Sequence, residues 1–231
     1  LRESLAESAR TLARSQGRLR GTLVVAEIAL ALVLLAGAGL LLRSFRAMRG
    51  VDPGFRPASV FTMTVDLPDA DYPAAGQMKV LHERVLAELS RLPGVDAAGA
   101  VNWLPFGAWL ITGTFRIDGN TERSPGYMVD KMATSPGYFA SMGIRLLRGR
   151  EFTAQDRANA PGVVIVSKSV ADRSWPDQDP IGKRLTQADE PTPKDWLTVV
   201  GVAEDVTQQS VTEPAHAAIY QPYTQLGSRF F

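Results

Sequence analysis

The chain has no cysteine in its 231 residues and only two histidines, His82 and His216. Without cysteine there is no disulfide, thiolate metal site or cysteine nucleophile, which fits an exported domain whose stability rests on packing alone, though a cytosolic domain could lack cysteine too. Two histidines argue against a multi-histidine metal site, and no Ser/His/Asp order or HExxH motif accompanies them. Gly182-Lys183-Arg184 lacks the upstream glycine and the following Ser or Thr of a phosphate loop, so no ATP site is expected. Asp66, Asp69 and Asp71 lack the glycine turn and bidentate glutamate of a calcium loop and read as a solvated turn. No catalytic residue, cofactor or metal ligand is therefore assigned. An excess of one charge is lacking too. The net charge is +1, while residues 1–21 hold five arginines against two glutamates, a local +3 that leaves the remainder at −2. That balance offers no basic surface for nucleic acid.

What the sequence does have is a long apolar run, Thr22–Leu42, TLVVAEIALALVLLAGAGLLL. A helix of that length crosses a hydrocarbon core of about 30 Å. The run is too long for a signal peptide, and its small cluster Ala36–Gly39 is followed by more leucines rather than a cleavage site. Arg18 and Arg20 before it, and Arg43, Arg46 and Arg49 after it, suit head-group contact. Its single carboxylate, Glu27, shares a helix face with Ala31, Leu34 and Ala38. Two readings of it stand side by side: a polar packing contact to a neighbouring membrane helix, or a group about 7 Å deep that reaches Arg20 or water.

Residues 1–21 place Leu1, Leu5, Ala9, Leu12 and Leu19 on one helical stripe, predicting a basic amphipathic helix on the cytoplasmic membrane surface that turns into the span. The large domain is then outside. Residues 43–57 read as a linker. In 58–231 the pattern predicts a strand over Val60–Leu67, a helix over 73–92 and a strand over Val95–Trp103, a first β-α-β unit. Shorter strands follow at Phe115–Asp118 and Tyr127–Ala133, then a helix capped by Ser135 with Pro136 in its first turn, ended by Gly143. Val163–Val166 reads as a central strand, Ser167–Trp175 as a helix capped by Ser167, and Trp196–Val202 as another buried strand, a second β-α-β unit. Ala218–Tyr223 starts one more strand. Trp103 and Trp109 flank an apolar loop, Leu104–Gly107, that either touches a partner or lipid or caps the core. The expected class is α+β: a transmembrane helix, then an extracytoplasmic domain of β-α-β units with mixed sheets in two lobes.

The succession LVVAEIALALVLLAGAGLLLRSF, VDPGF, LPGV, SPGYFASMGIRLLRGREF, DPIGKRL, WLTVVGVAEDV and IYQPY resembles permeases of the MacB/FtsX type over nearly the whole chain. Two features depart from that pattern: Val166-Ser167-Lys168 stands where an asparagine is expected, and later membrane spans do not follow. The resemblance implies one membrane helix plus a MacB-like periplasmic core domain, a fragment that could not act as a permease alone. It further implies a bacterial inner-membrane setting and, as partners, the lipid bilayer, a separate ABC ATPase subunit, and further permease helices or a second permease copy. A periplasmic adaptor protein is a further implied partner. The expected role is to couple ATP hydrolysis elsewhere to movement of the outer domain and export. The alternative from another class is a membrane-anchored extracytoplasmic sensor or binding module.

Overall fold

A computed structural model of the chain describes residues 2–65, 75–107, 111–119, 127–208 and 216–226. The chain forms two compact units, Leu1–Val51 and Asp52–Phe231, each taken by itself.

The first unit is one helix, α1, Arg2–Arg49, 48 residues long. No proline interrupts it, and its isolated glycines each cost only about 1 kcal/mol in a helix. The expected turn between a surface helix and the span is therefore replaced by an unbroken helix. Helix also takes in residues 43–49 of the expected linker. Gly21–Met48, with a mean hydropathy of 2.5 over its most apolar window, is long and apolar enough to cross a membrane, and none of that window is buried.

The second unit is built on a mixed sheet. Its strands are β1 Thr112–Gly113, β2 Arg116–Ile117, β3 Val129–Thr134, β4 Leu146–Gly149, β5 Val163–Ser167, β6 Arg184–Thr186, β7 Leu197–Ala203 and β8 Ala218–Pro222. Spatially they run β1-β3-β8-β5-β7-β6-β2, with β4 also pairing with β7. β3 and β8 are parallel, as are β5 and β7, whereas β8 meets β5 antiparallel. The helices are α2 Ala75–Leu89, α3 Tyr138–Met142 and α4 Lys168–Ser174.

β5 explains the sheet's centre. All five of its residues are buried, because both of its faces are covered. Val164 and Val166 pack with Ile219 and with Val170, Ala171 and Trp175 from α4 and its C-terminal end. Ile165 packs on the other face with Met132, Tyr220 and the α3 residues Tyr138, Phe139 and Met142. A strand buried twice reads as a continuous apolar run, which is how Val163–Val166 reads. β5, α4 and the parallel β7 form the expected second β-α-β unit. β7 carries one extra residue, Val200, between its pairings with Val164 and Ile165. Beside that bulge the chain comes very close: a Cβ on Gly149, whose φ is +74°, would collide with the Val200 carbonyl and Gly201. Glycine is required there.

Two helix caps differ from expectation. Ser135 turns its hydroxyl to the Pro136 carbonyl and the Ala100 N–H, so α3 begins later, after a left-handed Gly137. Its end at Gly143, φ +66°, is as expected. Ser167 precedes α4, but its hydroxyl accepts from the Ala218 N–H at 3.0 Å and meets the Ser169 hydroxyl. The N–H of Ser169 is instead capped by Asp205 at 2.9 Å, a carboxylate doing from a distance what a local cap would do.

Of the expected first β-α-β unit the helix is present and its flanking strands are not, among the described residues. Residues 60–65 lie outside the sheet, with Phe61 92%, Met63 54% and Val65 46% exposed. Residues 95–103 contribute one bridge, Val101 to Thr134. α2 is held by Lys79, which donates to the carbonyls of Thr224 and Leu226 at 3.1 and 2.8 Å, and by the edge-on contact of His82 with Tyr223.

Candidate functional site

On α1, Glu27 stands exposed among exposed Leu23, Val24, Leu30 and Leu34. No hydrogen bond or ion pair from it occurs among the described residues, and the Arg20 side chain lies outside them. A lone carboxylate on an apolar helix surface has two physical outlets, a polar partner on another helix or the interfacial water at the near end of the span. Both readings of Glu27 thus stand.

On the sheet domain a groove of about 540 Å³ runs between β4, α4 and the turn that follows α4. Arg148, Lys168, Asp172, Asp177 and Asp179 line it, together with Trp175. Much of that charge is internally matched, Lys168 to Asp172 at 2.5 Å and Arg148 to Asp179 at 3.9 Å. It holds no hydroxyl or thiol nucleophile beside a base.

The histidines serve packing and pairing. Burial lowers the pKa of His82 against Tyr223. His216 Nδ1 sits 3.6 Å from Asp130 Oδ2, and Asp130 is 1% exposed. Burial raises the Asp130 pKa, with the nearby His216 opposing it. A histidine beside a carboxylate invites comparison with a hydrolytic triad. The hydroxyl on the same sheet face, Ser167, is fully buried and already committed to Ala218 and Ser169, so it offers no nucleophile.

Among the described residues Asp156 is the carboxylate with the most hydrogen-bond partners. It accepts two bonds from the Arg150 guanidinium at 2.7 and 2.9 Å and one from the Thr153 N–H at 2.8 Å. The hydrogen bond from Arg150, outweighing partial burial, holds its pKa below the usual carboxylate range.

The described part of the Trp103–Trp109 loop caps the core. Trp103 packs against the core cluster around Tyr138 and Tyr220. Phe106, at φ +62°, leans on Phe55 at 6.0 Å and anchors its N–H on the Gln208 carbonyl at 2.7 Å. Trp109 and the three carboxylates Asp66, Asp69 and Asp71 lie outside the described residues. Sequence reasoning missed Asp130 and the buried polar side chains near it. The one available signal was a charged residue inside the otherwise apolar Tyr127–Ala133 stretch.

Among the described residues a long apolar helix and a mixed α/β domain stand without a catalytic constellation. The chain belongs to the family of MacB-like periplasmic core domains, whose model matches residues 22–231. Solved structures similar to it include the periplasmic region of MacB from Actinobacillus actinomycetemcomitans, at 17% identity and a TM-score of 0.43 over 62% of this chain and 55% of that one. Another is the extracellular domain of the noncanonic ABC-type transporter YknZ from Gram-positive bacteria, at 18% identity and a TM-score of 0.41 over 64% of this chain and 65% of that one. The chain thus spans about half to two-thirds of the length of these structures. No curated protein matches it.

Proposed function

We propose that this chain is the first membrane helix and outer domain of an ABC-type permease in a bacterial inner membrane, driven by a separate ATPase. The observation that carries this reading is the family match, which takes in the apolar helix and the sheet domain together, residues 22–231. In this reading ATP hydrolysis on the cytoplasmic side shifts membrane helices, and α1 delivers that shift to the domain. An uninterrupted helix suits the task, since coupling between distant sites needs an element whose arrangement both sites bias. Glu27 would then hold α1 in register against a neighbouring helix. The domain contributes no chemistry of its own.

The test is purification of the tagged chain from membranes of its host in mild detergent. Enrichment of a nucleotide-binding subunit, with ATPase activity that changes when α1 is altered, is the expected result. Recovery with a cytoplasmic signalling protein and no ATPase would favour the sensor alternative and end the transport reading.

A further inference from the structure

The VDPGF motif, Val51–Phe55, lies where the chain enters the sheet domain. From Asp52 onward it is bonded down. Asp52 Oδ1 accepts from the Gly54 N–H at 2.9 Å, closing an Asx turn. The Pro53 carbonyl accepts from the Thr207 N–H, and the Arg56 N–H donates to the Met142 carbonyl, both at 2.9 Å. Gly54, at φ +81°, lies so close to the segment after β7 that a Cβ would collide with the Asp205 carbonyl. Glycine serves there for both the conformation and the close approach. Phe55 packs against the core cluster that holds Tyr138, Phe139 and Tyr220, and its ring meets that of Phe106 at 6.0 Å. Phe106 stands at φ +62°, a conformation that strains a bulky residue and persists only where its surroundings hold it. The bond from its N–H to the Gln208 carbonyl at 2.7 Å is one such hold.

The two pieces of chain that receive this turn are tied to each other. Met142 ends α3 just before β4, and Thr207 follows β7. β4 and β7 pair through Leu146 and Ala203, and the Glu204 N–H donates to the Arg145 carbonyl at 2.8 Å. The Arg145 guanidinium also holds the Glu204 carboxylate with two bonds, at 2.8 and 3.1 Å. The next residue, Asp205, caps α4 at the Ser169 N–H. A flexible linker absorbs a displacement of one end, whereas a turn bonded to both pieces of a cross-tied corner passes it on. We propose that Asp52–Arg56 is a rigid coupling joint, which hands a displacement of α1 directly to the α3–β4 corner and the segment after β7, and through Asp205 to α4. The rigidity stands on the bonds above, and the use in coupling rests on the transport reading.

Residue-resolved hydrogen exchange on the full chain in detergent tests the rigidity without any partner. The Arg56 and Thr207 amides should exchange within about tenfold of the rate of Val199, whose amide is bonded inside the sheet domain to the Lys183 carbonyl. Exchange at the rate of an open chain overturns the joint and leaves the transport reading untouched. Gly54→Ala should open the joint, speeding exchange at both amides by at least about tenfold while Val199 stays protected. Asp52→Ala, which removes only the acceptor of the Asx turn and keeps the glycine, should give the same pattern with a smaller amplitude. In membranes with the ATPase, both variants should still insert and still recover the ATPase, but the response of ATP hydrolysis to changes in α1 should fall, most in Gly54→Ala. An unchanged response with the joint open overturns the coupling role alone. Absence of any ATPase from the parent preparation ends the transport reading, and the coupling role with it, even where exchange shows the turn to be fixed.

Discussion

α1 and β5 are both runs of valine, leucine, isoleucine and alanine, yet their apolar side chains meet opposite surroundings. In β5, Val164, Ile165 and Val166 are 0% exposed. Along α1, Leu30, Leu34 and Leu41 are 61%, 64% and 73% exposed, and so are their neighbours all round the helix. The strand has two protein layers to bury against, and the helix has none within its own unit. The strand uses the fold for cover, whereas α1 is long and apolar enough to cross a membrane. Similar composition thus marks a core in one place and a candidate membrane span in the other, and length is what separates them.

Charge placed in each region should break the two in different ways. Val164→Asp buries an unpaired carboxylate between two packed faces and is expected to cost more than about 4 kcal/mol, abolishing the cooperative unfolding transition of the domain. Leu34→Asp, near the middle of the span, is expected to oppose insertion by about 2.5–3.5 kcal/mol while leaving the unfolding transition of the domain unchanged. Membrane fractionation and calorimetry of both variants read the contrast.

Asp156→Ala should follow, lowering stability by about 1–3 kcal/mol because the Thr153 N–H and the Arg150 guanidinium lose their acceptor. Its pKa lies below 3.8 in the fold. Its contribution is therefore present above that value and lost as pH falls through the folded pKa, so parent and variant should converge in acid. Asp130 has the opposite sign. Burial raises its pKa above 3.8, so the stability linked to its protonated form is present below that pH and lost as pH rises through the folded value. Asp130→Asn should match the parent in acid and unfold at a higher temperature near pH 7, as denaturation curves across pH would show. The smallest effect expected is that of Glu27→Leu, which should leave membrane insertion intact. If it abolished insertion while ATPase coupling survived, the packing reading of Glu27 would be wrong.

Elements whose cause is local or two-sided were legible in the sequence: the apolar span, α2, α4 and the buried strands β5, β7 and β8. The short strands β1, β4 and β6 were not, because two to four residues carry no periodicity and their pairing partners lie far along the chain. Residues 60–65 teach the converse. Phe61, Met63 and Val65 alternate as a half-buried strand should, but alternation only states that one face wants cover, and among the described residues no strand pairs with it. The caps failed for a similar reason. Ser167 has the right type and position, yet a distant backbone N–H claims its hydroxyl and a distant aspartate takes the cap. Glu27 was evident as the one carboxylate in the span, whereas the contact of Tyr138 with Tyr220 is assembled by tertiary packing from residues unremarkable in sequence.

The absence of cysteine makes the central claim, a helix that separates two compartments, directly measurable. Ser15→Cys and Ala158→Cys, introduced singly, place one thiol before the span and one at an exposed position of the domain. In intact spheroplasts a membrane-impermeant maleimide should label the Ala158→Cys chain at once and the Ser15→Cys chain only after lysis. Equal labelling of both before lysis, or the reverse order, would contradict an α1 that spans the bilayer with its domain outside.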